Sequence, residues 1–371
     1  MVRSKIRGVS YSDRMNRTGP SPLALHLSLA ATAAGGDQDR LAAYMAGIKK
    51  YQNSSYSRHM PDLPVVWSAG TVTLRHAVAS GKAGEQPPLL VIPSMINRSA
   101  ILDIAEDSSF VRWVAGQGRD VYLMDWGEPK NDPAQAQLDT LMTDRLIPAM
   151  HYMAAKARDG HMDALGYCMG GTLLAAAAVQ DVPLRRLVFL AAPWDFDAGD
   201  RVLQGQVLSF AASGQTLMAL HDRLPASWVQ TVFATLDPAQ LLQKYARFSG
   251  MPDSSAEAQR FVAVEDWLND AVDLPTGIAR MCIHDWYAGN KPAAGTWSAC
   301  GRPVLLREVE YPALILCAKN DRLVPPESSL SMARLLPYSS VHIADTGHIG
   351  LLAGRHAPEA VWRPILNFLT S

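Results

Sequence analysis

Read for hydrophobic and polar positions, the chain changes rhythm near residues 64, 196 and 300. From 64 onward, short apolar runs alternate with stretches of helical period. "PVVWSAGTVTLRHAV" predicts two short strands around Gly70, and "PPLLVIPS", "DVYLMDWG", "MDALGYC" and "LRRLVFLAAP" predict buried strands. Between them, "SSFVRWVAGQG" has helical spacing with a stop at Gly118, "LDTLMTDRLIPAMHYMAAKA" reads as a long helix that tolerates or kinks at Pro148, and "MGGTLLAAAAVQ" reads as a helix. The alternation fails from about 196 to 300. There, Trp, Met and Leu recur at helical spacing in "VLSFAASGQTLMALHDRL", "DPAQLLQKYARF", "VAVEDWLND" and "GIARMCIHDWYAG". It resumes with "YPALILCAKND", "SLSMARLLPY", "SVHIADTGH" and "APEAVWRPILNFLTS".

Short buried strands alternating with helices imply an α/β fold, a mostly parallel sheet covered on both faces. The expected organisation is an N-terminal helical segment over 1–63, a core over 64–195 and 301–371, and a helical insert over 196–300 between the sixth and seventh strands, where a cap would fit. The start of the chain admits a second reading. "MVRSKIRGVS" is basic and "LALHLSLAATAA" is apolar, the outline of a signal peptide. The long leader, His26 within the apolar run and the helical continuation "DRLAAYMAGIKKYQ" favour helices instead.

Composition narrows the function classes. The chain has 371 residues, is 48% hydrophobic and carries a net charge of -1, so it has no surplus of cations for general nucleic-acid binding. No apolar stretch is long enough to predict a membrane span. The four cysteines, Cys168, Cys282, Cys300 and Cys317, form no close pair, so a reduced cytoplasmic chain is the simplest expectation. No ligand-spaced His and carboxylate motif predicts a metal, and no GxGxxG predicts a nucleotide cofactor.

The chemistry concentrates in "LGYCMGG". A nucleophile between glycines, after a strand and before a helix, sits in a tight turn that exposes it, and the next backbone N–H points toward an oxyanion. Cys168 takes that place and Met169 supplies the N–H; the helix N-terminus favours thiolate. Taken alone, Cys168 fits a buried structural thiol equally well. A cysteine nucleophile needs a base and the base an orienting acid. Asp321 follows the strand of "ILCAKND" and His348 lies in the Gly-flanked loop "IADTGHIG", so acid and base follow the cysteine in the order this kind of site uses. Singly, Asp321 also suits a turn carboxylate and His348 a loop histidine; together with Cys168 they predict a triad. The second oxyanion donor is expected in "VIPSMINRSAILD", near Met95, Ile96 or Asn97. Sulfur bears on the reaction. A cysteine holds an acyl group as a thioester, which keeps the transfer potential of an acyl-CoA, so a site that excludes water can hand the group to a hydroxyl.

These residues carry a resemblance. The chain from about 65 to its end resembles polyhydroxyalkanoate synthases, most closely the short class III catalytic subunit, in "VIPSMINRSAILDIAEDSSFVRWVAGQGRDVYLMDWGEP", "GYCMGG", "VEDWLNDAVDLPTGIARMCIHDWYAGNK", "NDRLVPPESS" and "TGHIGLLAG". The resemblance implies an α/β-hydrolase core with a helical cap and a Cys168–Asp321–His348 triad. It also implies backbone donors at Met169 and Ile96, and polymerisation of (R)-3-hydroxyacyl-CoA into polyester with release of CoA. As partners it implies the growing polyester chain, a second synthase subunit and a second copy of the chain, in the cytoplasm at polyester granules. It implies no cofactor. One departure is Arg322, where many synthases carry histidine after the aspartate.

Two other functions fit the same residues: a cysteine hydrolase of this fold (thioesterase, polyester depolymerase or esterase), and a catalytically silent granule-associated homologue. Among the remaining residues, Trp194, Trp267 and Trp286 are expected in the core, with a substrate channel as the alternative. His284 is expected to be a satisfied core or cap histidine. Cys282, Cys300 and Cys317 are expected to be small buried residues. Glu265 and Asp266 are expected on a solvated helix face.

Overall fold

The computed structural model describes residues 17–81 and 86–371; the basic stretch "MVRSKIRGVS" lies outside them. The apolar runs become one eight-stranded sheet: β1 (Val65–Ala69), β2 (Val72–Ala77), β3 (Leu89–Ile92), β4 (Val121–Asp125), β5 (Met162–Tyr167), β6 (Leu184–Leu190), β7 (Ala313–Ala318) and β8 (Ser339–Ala344). Their spatial order is β1-β2-β4-β3-β5-β6-β7-β8. β1, β2 and β4 pair antiparallel and all other neighbours parallel. The parallel strands at the centre are apolar at nearly every position because helices cover both faces. Gly70, at φ 58°, closes the β1–β2 hairpin.

β5 carries Cys168 at its C-terminal end. Near its other end Asp163, fully buried, is held by Arg119 and by Arg185, whose Nε donates at 2.9 Å. Both guanidinium groups also donate to the Leu369 carbonyl, so the last turn of the chain is tied beneath the same strand. Pro148 neither breaks nor sharply ends its helix. A π-turn over Met142–Leu146 lengthens the ladder just before Ile147–Ala154, and the Ile147 N–H donates to the Met142 carbonyl. This shift of register accommodates a residue that has no N–H to give.

Seven further helices matter for the site. At the N-terminus lie α1 (Leu23–Ala34) and α2 (Gln38–Gln52). α3 (Met169–Ala178) follows Cys168; all ten of its residues are buried, which explains its Ala and Gly content and its lack of charge. Between β6 and β7 the chain leaves the sheet and forms α4 (Val202–His221), α5 (Ala226–Ala234), α6 (Pro238–Ser249) and α7 (Ala256–Asn269). The insert is not purely helical: Arg223–Leu224 pairs with Leu274–Pro275, and Ser298–Ala299 with Arg302–Pro303. α5 has no counterpart in the sequence reading.

α1 and α2 pack on α6, with Tyr44, Tyr51 and Tyr245 meeting edge to face. Glu265 and Asp266 do not face solvent; they are 2% and 8% exposed. Glu265 accepts from the Tyr245 hydroxyl at 2.7 Å and pairs with Lys244 at 2.7 Å. Asp266 accepts from Arg17 at 2.6 Å and from the Tyr51 hydroxyl at 2.9 Å. Asp266 cross-links the insert to the N-terminal segment, Glu265 ties α7 to α6 within the insert, and burial is tolerated because each oxygen is partnered. Among the described residues no helix is long and apolar enough to cross a membrane.

Candidate active site

The turn between β5 and α3 is tight. Cys168 adopts φ 54°, ψ −128°, a conformation ordinarily left to glycine, which stores strain and lifts the thiol clear of the strand. The flanking glycines are sterically required. A Cβ at Gly166 would collide with the backbone of Gly170 and Gly171, and one at Gly170 with the carbonyls of Ile92 and Pro93. Only bare backbone lets β5, α3 and the loop after β3 approach this closely.

Asp321 sits in the turn after β7, 5% exposed. Its Oδ1 accepts the N–H groups of Leu323 at 2.9 Å and Val324 at 2.8 Å, which shapes the loop. Its Oδ2 faces His348 Nδ1 at 2.7 Å. One Asp321 oxygen thus shapes its turn and the other faces His348. His348 follows β8 in a turn that the Asn320 N–H ties to the Thr346 carbonyl at 2.9 Å. The Tyr167 ring packs 5.0 Å from the imidazole and its hydroxyl donates to the His348 carbonyl at 3.4 Å. Cys168 and His348 line the same cavity. The structure therefore brings Cys168, His348 and Asp321 together from three separate strand ends. Burial works against charge on His348, but the Asp321 carboxylate and the Cys168 sulfur outweigh it and push the imidazole up to about 10.

Met169 opens α3 directly after the cysteine. The Ile96 N–H lies on the loop after β3 and donates to Ser94 Oγ at 3.2 Å. That loop is fastened to the insert: the Ile96 carbonyl accepts from Val272 N–H at 3.1 Å, and the Arg98 carbonyl accepts from the Trp267 indole at 2.7 Å.

Above Cys168 and His348 lies a cavity of about 120 Å³. Its walls come mainly from the insert and are apolar, with Phe196, Trp228, Val232, Leu274, Ile283 and Trp286 among them. Trp267 and Trp286 line this space, whereas Trp194 is a core residue packed edge to face on Trp297. Cys282 is not a fully buried core residue either; it is half-buried and faces the cavity. Burial, with Asp285 and Cys168 adding to it, pushes that thiol up to about 12, so it stays protonated at neutral pH. Cys300 is also half-buried, and only Cys317 is fully so. All four are free thiols. His284 points outward, beside Gln215, and takes no part in the site. Arg322 is mostly exposed and pairs with Asp237 at 3.3 Å, the residue that caps α6 through the Gln240 N–H. Trp267 and Trp286 had the channel as their alternative in the sequence, but Cys282 and the other insert residues around the cavity carried no such signal, because their spacing is that of any core helix; only the position of their elements above β5 marks them.

The family model for the alpha/beta hydrolase fold matches residues 87–354. The poly(3-hydroxyalkanoate) polymerase subunit PhaC of Haloferax mediterranei is 29% identical over 308 residues, which are 82% of this chain and 63% of that protein. The same-named subunit from Synechocystis sp. is 30% identical over 273 residues, 71% of this chain and 72% of the relative. The chain thus spans somewhat under two thirds of the haloarchaeal relative's length. Among solved structures, a thermophilic esterase from Thermogutta terrifontis superposes with a TM-score of 0.50 at 17% identity, covering 83% of this chain and 98% of the esterase, a likeness of fold. With most of its length inside the hydrolase-fold model and a relative at this identity, the chain belongs to the α/β-hydrolase fold family and, within it, to the poly(3-hydroxyalkanoate) polymerases.

Proposed function

We propose that the protein is an acyltransferase that polymerises (R)-3-hydroxyacyl-CoA into polyester through a thioester on Cys168. The observation that carries this reading is the placement of Cys168 and His348 at the floor of a small apolar cavity whose walls come mainly from the insert. His348, oriented by Asp321 through Nδ1, takes the thiol proton at Nε2. The sulfur attacks the substrate carbonyl, and the oxyanion is held by the N–H groups of Met169 and of Ile96, the latter exchanging Ser94 for it. The C–S bond to CoA breaks, and His348 returns the proton to the departing CoA thiol. A hydroxyl of the next hydroxyacyl unit, deprotonated by His348, then attacks the Cys168 thioester; an ester forms and the cysteine is regenerated.

Residues 196–300 act as a cap on the core of 64–195 and 301–371, braced by the segment before residue 64. The cap excludes water, so the activated acyl group waits for a hydroxyl. The assembly is a homodimer working with a second synthase subunit, in the cytoplasm at the surface of the growing polyester.

The test is incubation with 3-hydroxybutyryl-CoA, with and without a candidate partner subunit. Released CoA together with insoluble polymer is the expected result. Released CoA with free hydroxy acid alone would replace this reading by a thioesterase, and no CoA release under either condition would leave a silent homologue.

A further inference from the structure

The catalytic cavity, at about 120 Å³, is far too small for an acyl-CoA, so the nucleotide end of such a donor needs a place outside it. Two recesses adjoin the cavity. One, beside Asp195, Asp200 and Arg201, holds only about 20 Å³ and is acid-rich. The other is a groove of about 920 Å³ between α6, α7 and the turn that follows His348. It shares two wall residues with the cavity, Leu268 and Ile349, the second being next in sequence to His348.

This groove is basic. Lys244, Arg247, Arg260 and Arg355 line it against two acids, Glu257 and Glu265. Lys244 is committed to Glu265 and Arg260 to Asp107. Arg247 and Arg355 are exposed and have no carboxylate partner among the described residues; Arg355 meets only the His356 ring. Guanidinium groups without a partner, beside a reactive centre in a chain of net charge -1, are suited to phosphate oxygens.

We infer that this groove is the binding site for the phosphorylated nucleotide end of the acyl-CoA donor, with Arg247 and Arg355 as its phosphate anchors. The pantetheine arm passes between Leu268 and Ile349 to reach Cys168, so these two side chains are the partition that parts when substrate enters. The inference rests on the thioester-transfer reading above, and two measurements separate them.

The first is calorimetric titration of free CoA into the wild-type chain and into the double variant Arg247→Gln/Arg355→Gln. The expected result is salt-sensitive binding weakened about tenfold or more in the variant. The second compares two thioesters of 3-hydroxybutyrate, one on CoA and one on N-acetylcysteamine, which lacks the nucleotide. The variant raises KM for the CoA thioester about tenfold and leaves kcat, and all turnover of the short thioester, unchanged. Equal CoA affinity in the two chains, or equal losses on both thioesters, overturns the inference. CoA binding that depends on the arginines, in a chain that turns over neither thioester, supports the groove and overturns the transfer reading instead.

Discussion

The Asp321–His348 contact offers the sharpest physical test, through Asp321→Asn. Two of the carboxylate's three contacts survive the change, because an amide oxygen still accepts the N–H groups of Leu323 and Val324 as Oδ1 does now. The amide NH2 then faces His348 Nδ1 where Oδ2 sat at 2.7 Å. It donates, so the imidazole must accept at Nδ1 and carry its proton on Nε2, the wrong tautomer to take a proton from Cys168. Activity is expected to fall roughly 10³–10⁴-fold. Stability changes too. A histidine held at about 10 against an ordinary 6.5 has its charged form favoured by about 5 kcal/mol, shared between Asp321 and Cys168. Removing the carboxylate is therefore expected to cost about 3 kcal/mol at mildly acidic pH, in the range for breaking a buried pair. Because the folded-state value is raised, this contribution is fully present below about pH 6.5 and is lost as pH climbs through about 10. Urea unfolding of wild type and Asp321→Asn across that span measures it. The difference should shrink with rising pH toward the ~1 kcal/mol of a neutral hydrogen bond. A difference independent of pH, or below about 1 kcal/mol in acid, would refute the electrostatic argument.

Two further substitutions test the frame around the site. Since Cys168 holds φ 54°, ψ −128°, Cys168→Gly should be more stable than Cys168→Ala by about 1 kcal/mol, the reverse of the usual order; thermal unfolding with Ala the more stable would deny the strained turn. Asp266→Ala leaves the half-buried Arg17 guanidinium without its carboxylate, holding only the Ser54 and Tyr56 carbonyls, and takes the acceptor from the Tyr51 hydroxyl, and should cost about 3 kcal/mol in urea unfolding; a loss under about 1 kcal/mol would mean the acid bridge between insert and N-terminal segment contributes little.

Much of this was readable from spacing because the relevant forces are local. The eight strands could be placed from apolar runs, and "GYCMGG" announces a strand–turn–helix with no room for side chains. Asp321 and His348 could be found because both follow strands in loops of turn-forming residues. What spacing could not supply was the identity of partners far along the chain. Asp266 looks like an exposed helix acid until Arg17, 249 positions away, reaches it. Cys282 looks like packing until the insert folds over β5 and turns that helix toward Cys168. Pro148 could be tolerated or kink its helix; a π-turn absorbs it, since one extra residue in the ladder costs less than a broken helix. The partnering of the Ile96 N–H with Ser94 is likewise set by how one loop settles, which no pattern of residue types encodes.

The proposed chemistry requires Cys168 to form an acyl thioester. Mixing the purified chain with 3-hydroxybutyryl-CoA, quenching in acid and mapping the adduct by mass spectrometry tests this directly. A hydroxybutyryl group on the peptide containing Cys168, absent in Cys168→Ala and accompanied by stoichiometric CoA, is the predicted result. CoA release that persists in Cys168→Ala, or an adduct found only on Cys282, would contradict it.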